Sequence, residues 1–221
     1  MGEEKSVLRW GGIAGILAGI ILLIFGLVGL GLALMGQIKV VPDLEQYLVD
    51  FHANPIPVTV FLDLAIVSVL LLFLFVVALY WTLREPSRVF ARIGLGLGVL
   101  ALILLAVSAE VDLLARQFFS LRYANAAPSD QPTVAAIFAA LHGLTTAGLN
   151  IGLIFLGVGF IAFGLAMRAS LGYQEGFVWL SAILGLVIIL LPLLILNIVS
   201  LVFIGLLGLV LGWKVYSLSR A

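Results

Sequence analysis

The chain has 221 residues, of which 64% are apolar and 10% charged, and its mean hydropathy is +1.31; an average soluble domain is about 45–50% apolar and about 25% charged. Eleven Lys and Arg balance eleven Asp and Glu, so no net field draws in a polyanion and a nucleic-acid partner is excluded. With no Cys, disulfides, thiolate metal sites and thiol nucleophiles are excluded as well, and the expected class is an all-α, polytopic membrane bundle forming one domain.

A helix needs about 20 apolar residues to cross a hydrocarbon core of ~30 Å. Trp10–Gly36 holds 27 residues without a charge and is the first expected span. It is too long for the apolar core of a signal peptide, and no small-residue cleavage site follows it. Met1-Gly2-Glu3-Glu4-Lys5-Ser6 fits a myristoylation pattern, which a multi-span protein does not need for anchoring.

In the first outer connection, Asp43 and Gln46 have capping-box spacing. Leu44, Tyr47, Leu48 and Phe51 then recur at helical intervals, with Glu45 and Asp50 off the stripe. A short helix is expected here, lying on the outer interface or packed as a lid over the bundle. Asn54-Pro55-Ile56-Pro57 ends it and starts span two, 57–83, which is interrupted only by Asp63. Arg84–Arg88 forms a turn with Ser87 as N-cap for span three, 89–115. Its helix is expected to continue through Phe118, Phe119 and Leu121 until Asn125–Pro128 breaks it.

Ser129–Pro132 leads into span four, about 134–167, whose first part stands in the interface because Thr133–Met167 is 35 residues long. The 38 uncharged residues from Gly176 to Trp213 would make a helix of about 57 Å. They divide into spans of about 177–195 and 198–216 around a turn at Pro192–Asn197.

Six spans put both termini on one side. With that side cytoplasmic, Lys5, Arg9, Arg84, Arg88, Arg92, Arg168, Lys214 and Arg220 lie inside and only Lys39, Arg116 and Arg122 outside, which follows the positive-inside rule. Trp10, Trp81, Trp179 and Trp213 fall at the same inner ends, where amphipathic rings concentrate. The expected location is therefore an inner (plasma) membrane, with membrane lipids as the surroundings.

Lipid is as apolar as Leu, so close helix approach and interhelical hydrogen bonds must hold the bundle. Small residues four apart mark such contacts: Gly11, Gly15 and Gly19; Gly94 and Gly98; Gly148 and Gly152; Gly208 and Gly212. They serve packing within the chain or a docking face for another subunit.

Ionisable groups within spans are costly and therefore point to function. Asp63, Glu110 and His142 fall at similar depth in the outer half, on three different helices. His142, Thr146 and Asn150 share one face of span four. Glu110 and Asp112, two residues apart, point to nearly opposite sides. Glu110 is thus expected to meet His142 or Asp63, and Asp112 to form a rim ion pair with Arg116 four residues on. Asp63, Glu110, His142, Thr146 and Asn150 are the candidates for a ligand-binding or proton-relay pocket; the competing reading is interhelical hydrogen bonding and interfacial wetting.

No metal or cofactor is expected. His52 and His142 have no ligand spacing, and neither a phosphate-binding Gly-rich loop nor a Gly-x-Ser-x-Gly nucleophile motif is present. Ser181 and Ser200 lack the context of an intramembrane serine protease. One proline break and no visible repeat argue against a coupled transporter, and a single polar stripe argues against a channel.

The segments Ile13–Gly19, Phe61-Leu62-Asp63-Leu64 leading to Tyr80 and Arg84, and Leu141-His142-Gly143 leading to Asn150–Phe155 resemble a family of uncharacterised bacterial six-span membrane proteins, a domain of unknown function. The resemblance covers roughly the first 200 residues, apart from Phe118–Gln131. It implies a bacterial inner-membrane bundle and assigns no activity. The expected function is a non-enzymatic accessory or scaffold subunit that packs against other membrane proteins or itself. The alternative is a small-ligand or lipid-binding or transport protein using an outward polar pocket between spans two, three and four.

Overall fold

The computed structural model of the chain describes residues 2–34, 43–194 and 197–220. Met35 and Gly36 of the first expected span, Lys39, and Ile195-Leu196 in the expected turn lie outside the described residues. Among the described residues there are seven α-helices and no strand: α1 Gly2–Leu34, α2 Leu44–Ala53, α3 Ile56–Leu83, α4 Arg88–Asn125, α5 Gln131–Arg168, α6 Glu175–Leu193 and α7 Asn197–Leu218. All except α2 are long and apolar enough to cross a membrane.

Local chemistry explains several of the boundaries. The Asp43 carboxylate accepts the Gln46 backbone N–H at 3.3 Å, satisfying an orphan donor at the start of α2. Pro57 sits in the first turn of α3, where its missing N–H costs nothing. Pro192 lies in the last turn of α6, and the helix stops one residue later. Ser87 and Asp130 occupy the N-cap positions of α4 and α5, but neither side chain makes a capping hydrogen bond.

The six long helices form a closed ring in the order α3, α1, α7, α6, α5, α4. The closest partners are α1 with α7 and α4 with α5. Two contacts place the N-terminal start, the end of α3 and the 169–174 connection at one end of the bundle: Arg84 pairs with Glu4 at 3.7 Å, and the Thr82 hydroxyl hydrogen-bonds the Tyr173 hydroxyl at 2.8 Å. The expected antiparallel threading is present, and this end is the inner end of the bundle.

The glycine stripes are consumed within the chain. A methyl group built on Gly15 would sit 3.2 Å from the Gly212 Cα, and one on Gly208 would sit 2.9 Å from the Gly15 carbonyl oxygen. One on Gly19 would sit 2.6 Å from the Leu209 backbone nitrogen. Gly11 faces Ala78 of α3, Gly94 faces Phe163 of α5, Gly98 faces Val76 of α3, and Gly148 and Gly152 face Ser108 and Leu105 of α4. The pair Gly157 and Gly185 does the same for α5 against α6, each beside the other's carbonyl oxygen, and the buried Ser181 hydroxyl donates to the Phe160 carbonyl oxygen at 2.7 Å. Close backbone approach supplies the dispersion contacts that apolar burial alone cannot supply in lipid. The main core, with Phe75, Leu79, Leu102, Leu156, Phe160, Phe163 and Met167 fully buried, fills the inner part of the ring.

The outer end is built differently. α4 and α5 are 38 residues each, about 57 Å, against a hydrocarbon core of ~30 Å. α4 continues ten residues past the end of its expected span at 115 and stops at Asn125, where the helix is expected to break, and α5 starts three residues before the expected 134. Their extensions form a hairpin, and α2 packs onto it rather than only onto lipid. Leu48 and Phe51 are buried, and Leu48 joins Ala115, Tyr123, Val134, Ala135 and Phe138 in a second apolar cluster.

Candidate functional site

The outer hairpin carries one polar cluster, centred on Asp112. This residue is 4% exposed on the face of α4 that meets α5. Its Oδ1 accepts from His142 Nδ1 at 2.7 Å and lies 3.0 Å from the Thr145 hydroxyl. Its Oδ2 accepts from Arg116 Nε at 2.6 Å, and a terminal nitrogen of the same guanidinium forms an ion pair with it at 2.5 Å. An ionised carboxylate only accepts, so the Nδ1 of His142 carries the proton in this contact. The Thr145 hydroxyl is also 3.0 Å from the His142 carbonyl oxygen and donates to one of the two at a time.

Each partner is placed by its helix. Arg116 follows Asp112 by four residues and therefore stands over it on α4. His142 and Thr145 are three apart on α5 and reach the same carboxylate from across the interface. α2 closes the site from above. The Arg116 guanidinium lies 4.8 Å from the Tyr47 ring centroid, and the Tyr47 ring stacks on Phe138 at 6.3 Å. Phe138 in turn stacks on the His142 imidazole at 5.7 Å. The Tyr123 hydroxyl donates to Glu45 Oε2 at 3.3 Å, a second tie from α4 to α2.

Asp112 and Arg116 cancel in charge, which offsets the cost of taking a carboxylate out of water. Both Asp112 oxygens are occupied by donors. Among the described residues no group of three His, Asp or Glu could hold a metal ion. The cluster thus locks three helices together and leaves Asp112 no open position for a ligand.

This geometry corrects the expected pairing. His142 meets Asp112, not Glu110 or Asp63, so Asp112 and Arg116 form a buried cross-helix node rather than a rim pair. Thr145 contributes the hydroxyl; Thr146, one residue on, is half-buried without a side-chain hydrogen bond among the described residues. The Asn150 side-chain oxygen is buried and has no hydrogen-bond partner among the described residues. Asp63 and Glu110 are both exposed, and neither takes part in an ion pair or hydrogen bond there. Glu110 shares its face of α4 with the bulky, outward-facing Ile103, Val107 and Leu114.

That face is continuous. Leu100, Ile103, Val107, Val111, Leu114, Phe118 and Leu121 recur every three or four residues, and all are exposed. Measured by helix rise from the inner ends, Asp63 lies about 30 Å up α3 and Glu110 about 33 Å up α4, so the two carboxylates stand at nearly one height. Phe118 and Leu121 stand higher than the first residue of α3 by the same measure.

Sequence reasoning missed Thr145, Tyr47 and the role of Asp112. A signal for Asp112 was present: it shares its face with Ala101, Leu105, Ser108, Ala109 and Ala115, and small residues mark a packed interface. No family model matches the chain, and no curated protein and no solved structure is significantly similar to it.

Proposed function

We propose that the protein is a non-enzymatic assembly subunit of a membrane, which packs against another membrane protein or a second copy of itself along the outer part of α4. The observation that supports this reading is Glu110, a carboxylate without a donor among the described residues, set in the exposed apolar stripe from Leu100 to Leu121. Near the outer edge of the hydrocarbon an acid on such a face is unfavourable alone and favourable when a partner supplies a hydrogen-bond donor or cation. The glycine stripes do not supply this docking face, because they are spent on intrachain contacts. The bacterial inner-membrane setting, with both termini cytoplasmic, belongs to the same proposal; the concentration of cations at the inner end supports it.

Co-purification in mild detergent tests the reading. The expected result is a complex of fixed stoichiometry that Glu110→Gln weakens and Phe118→Glu dissociates. A monomeric chain unaffected by either change, or one carrying a bound small molecule at the outer end, overturns it.

A further inference from the structure

A different feature lies at the inner end, where a cavity of about 420 Å³ opens between the end of α5 and the start of α6. Gly164 forms part of its lining: there α5 touches α6, and an added methyl would stand 3.0 Å from the Val178 carbonyl oxygen. The 169–174 connection joins the two helices at the inner end, and Tyr173 within it lines the cavity. Tyr173 forms the inner wall. It is buried, and its hydroxyl donates to Thr82, whose own proton goes to the Leu79 carbonyl oxygen, so it gives shape and no free donor.

The remaining lining has a polar mouth and apolar sides. Arg168 and Glu175 are both exposed and neither forms an ion pair among the described residues. Leu165 and Trp179 are 42% and 64% exposed on the sides that run into the membrane. Trp179 stands at the bundle end that also carries exposed Trp10 and Trp213, the level at which indole rings meet headgroups. The cavity therefore offers one cation, one anion, an aromatic rim at headgroup level and an apolar groove leading away from it.

We propose that this cavity binds the phosphoethanolamine group of a zwitterionic membrane phospholipid. The guanidinium of Arg168 pairs with the phosphate in the planar, forked geometry that Arg favours. The carboxylate of Glu175 accepts from the primary ammonium, which offers three N–H donors that a quaternary choline lacks. One acyl chain lies along Leu165 and Trp179. A phosphatidylglycerol headgroup satisfies Arg168 through the same phosphate but brings only neutral hydroxyls to Glu175, and opposite-sign matching of both groups is what selects the zwitterion.

The test uses the full-length protein in detergent. It is titrated with phosphatidylethanolamine, phosphatidylcholine and phosphatidylglycerol of identical acyl chains, and separately with soluble phosphoethanolamine. The first bound molecule is read by native mass spectrometry. Phosphatidylethanolamine is expected to bind about fivefold more tightly than the other two lipids, the scale of one well-placed charge pair. Glu175→Gln should equalise the ethanolamine and choline lipids, and Arg168→Gln should weaken all three. Both residues are exposed, and an unchanged melting temperature verifies that the variants are folded. Failure of soluble phosphoethanolamine to compete assigns the site to the lipid; competition at equal concentration assigns the same headgroup chemistry to a soluble source. Equal binding of the three lipids, or wild-type selectivity in both variants, overturns the proposal.

Discussion

The inner and outer halves of the molecule hold together by different physics. In the inner ring, glycines let α1 meet α7 and α5 meet α6 backbone to backbone, with Ser181 supplying an interhelical hydrogen bond. In the outer hairpin, α4 and α5 meet at one carboxylate with a guanidinium, an imidazole and a hydroxyl around it, and α2 lays the Tyr47 ring against the guanidinium. The difference follows the solvent. Deep in lipid, close packing is the main contribution open to helices. Toward the water, a paired charge costs less to bury and gives directional contacts that fix a short helix over two long ones.

The largest expected effect tests the outer half. Asp112→Ala leaves the Arg116 cation and the His142 N–H without their acceptor, and is expected to destabilise the protein by about 3 kcal/mol. Thermal unfolding in detergent measures this, and protease cleavage near α2 should rise with it. The double change with Arg116→Ala should recover part of the loss; simple additivity would show that the two groups are not energetically coupled.

The next prediction tests the inner half. Gly19→Ala drives a methyl against the backbone of α7 and should cost about 1–3 kcal/mol. Gly96→Ala is the control, because nothing lies within 4 Å of its added methyl. Equal melting temperatures for the two variants would remove the backbone-contact account.

A smaller effect concerns pH at the inner end. Burial pushes the Tyr173 phenol up to about 12, against its hydrogen bond to Thr82, which pulls it down. The folded state therefore prefers the protonated phenol. Its contribution is fully present below about pH 10 and is lost as pH rises from 10 through 12, by roughly 1 kcal/mol per pH unit. Melting temperatures across that range should fall less steeply for Tyr173→Phe than for the wild type. The smallest effect is expected at the exposed acids: Asp63→Asn and Glu110→Gln should each change the stability of the isolated chain by less than about 0.5 kcal/mol. A larger change in Glu110→Gln would place that carboxylate in an internal contact.

These tests also separate what the residue pattern reveals from what it conceals. Uncharged runs locate the six crossings, since length and hydropathy alone decide whether a helix spans. The capping pair Asp43 and Gln46 with the stripe Leu44, Tyr47, Leu48 and Phe51 locates α2. The partner of His142 is concealed, because periodicity gives the face of each helix and not its rotation against a neighbour. Glu110 and Asp112 stand on opposite faces, so an error in rotation exchanges them. The small residues around Asp112 identify the packed face, but depth alone favours Glu110. Thr145 and Thr146 are exchanged for the same reason. The use of the glycines follows only from the ring order, which sets the first long helix beside the last.

That last pairing has a consequence for biogenesis. The groove of α1 that receives α7 is filled only after the ribosome has made the 162 residues separating Leu34 from Asn197 and then the 22 of α7 itself, on the order of ten seconds to half a minute at ordinary translation speed. Until then the emerging helix leaves the translocon with a backbone-exposing flank that lipid fills poorly. Closure of the ring therefore waits for synthesis of the seventh helix, and insertion of the first segment alone cannot bring it about.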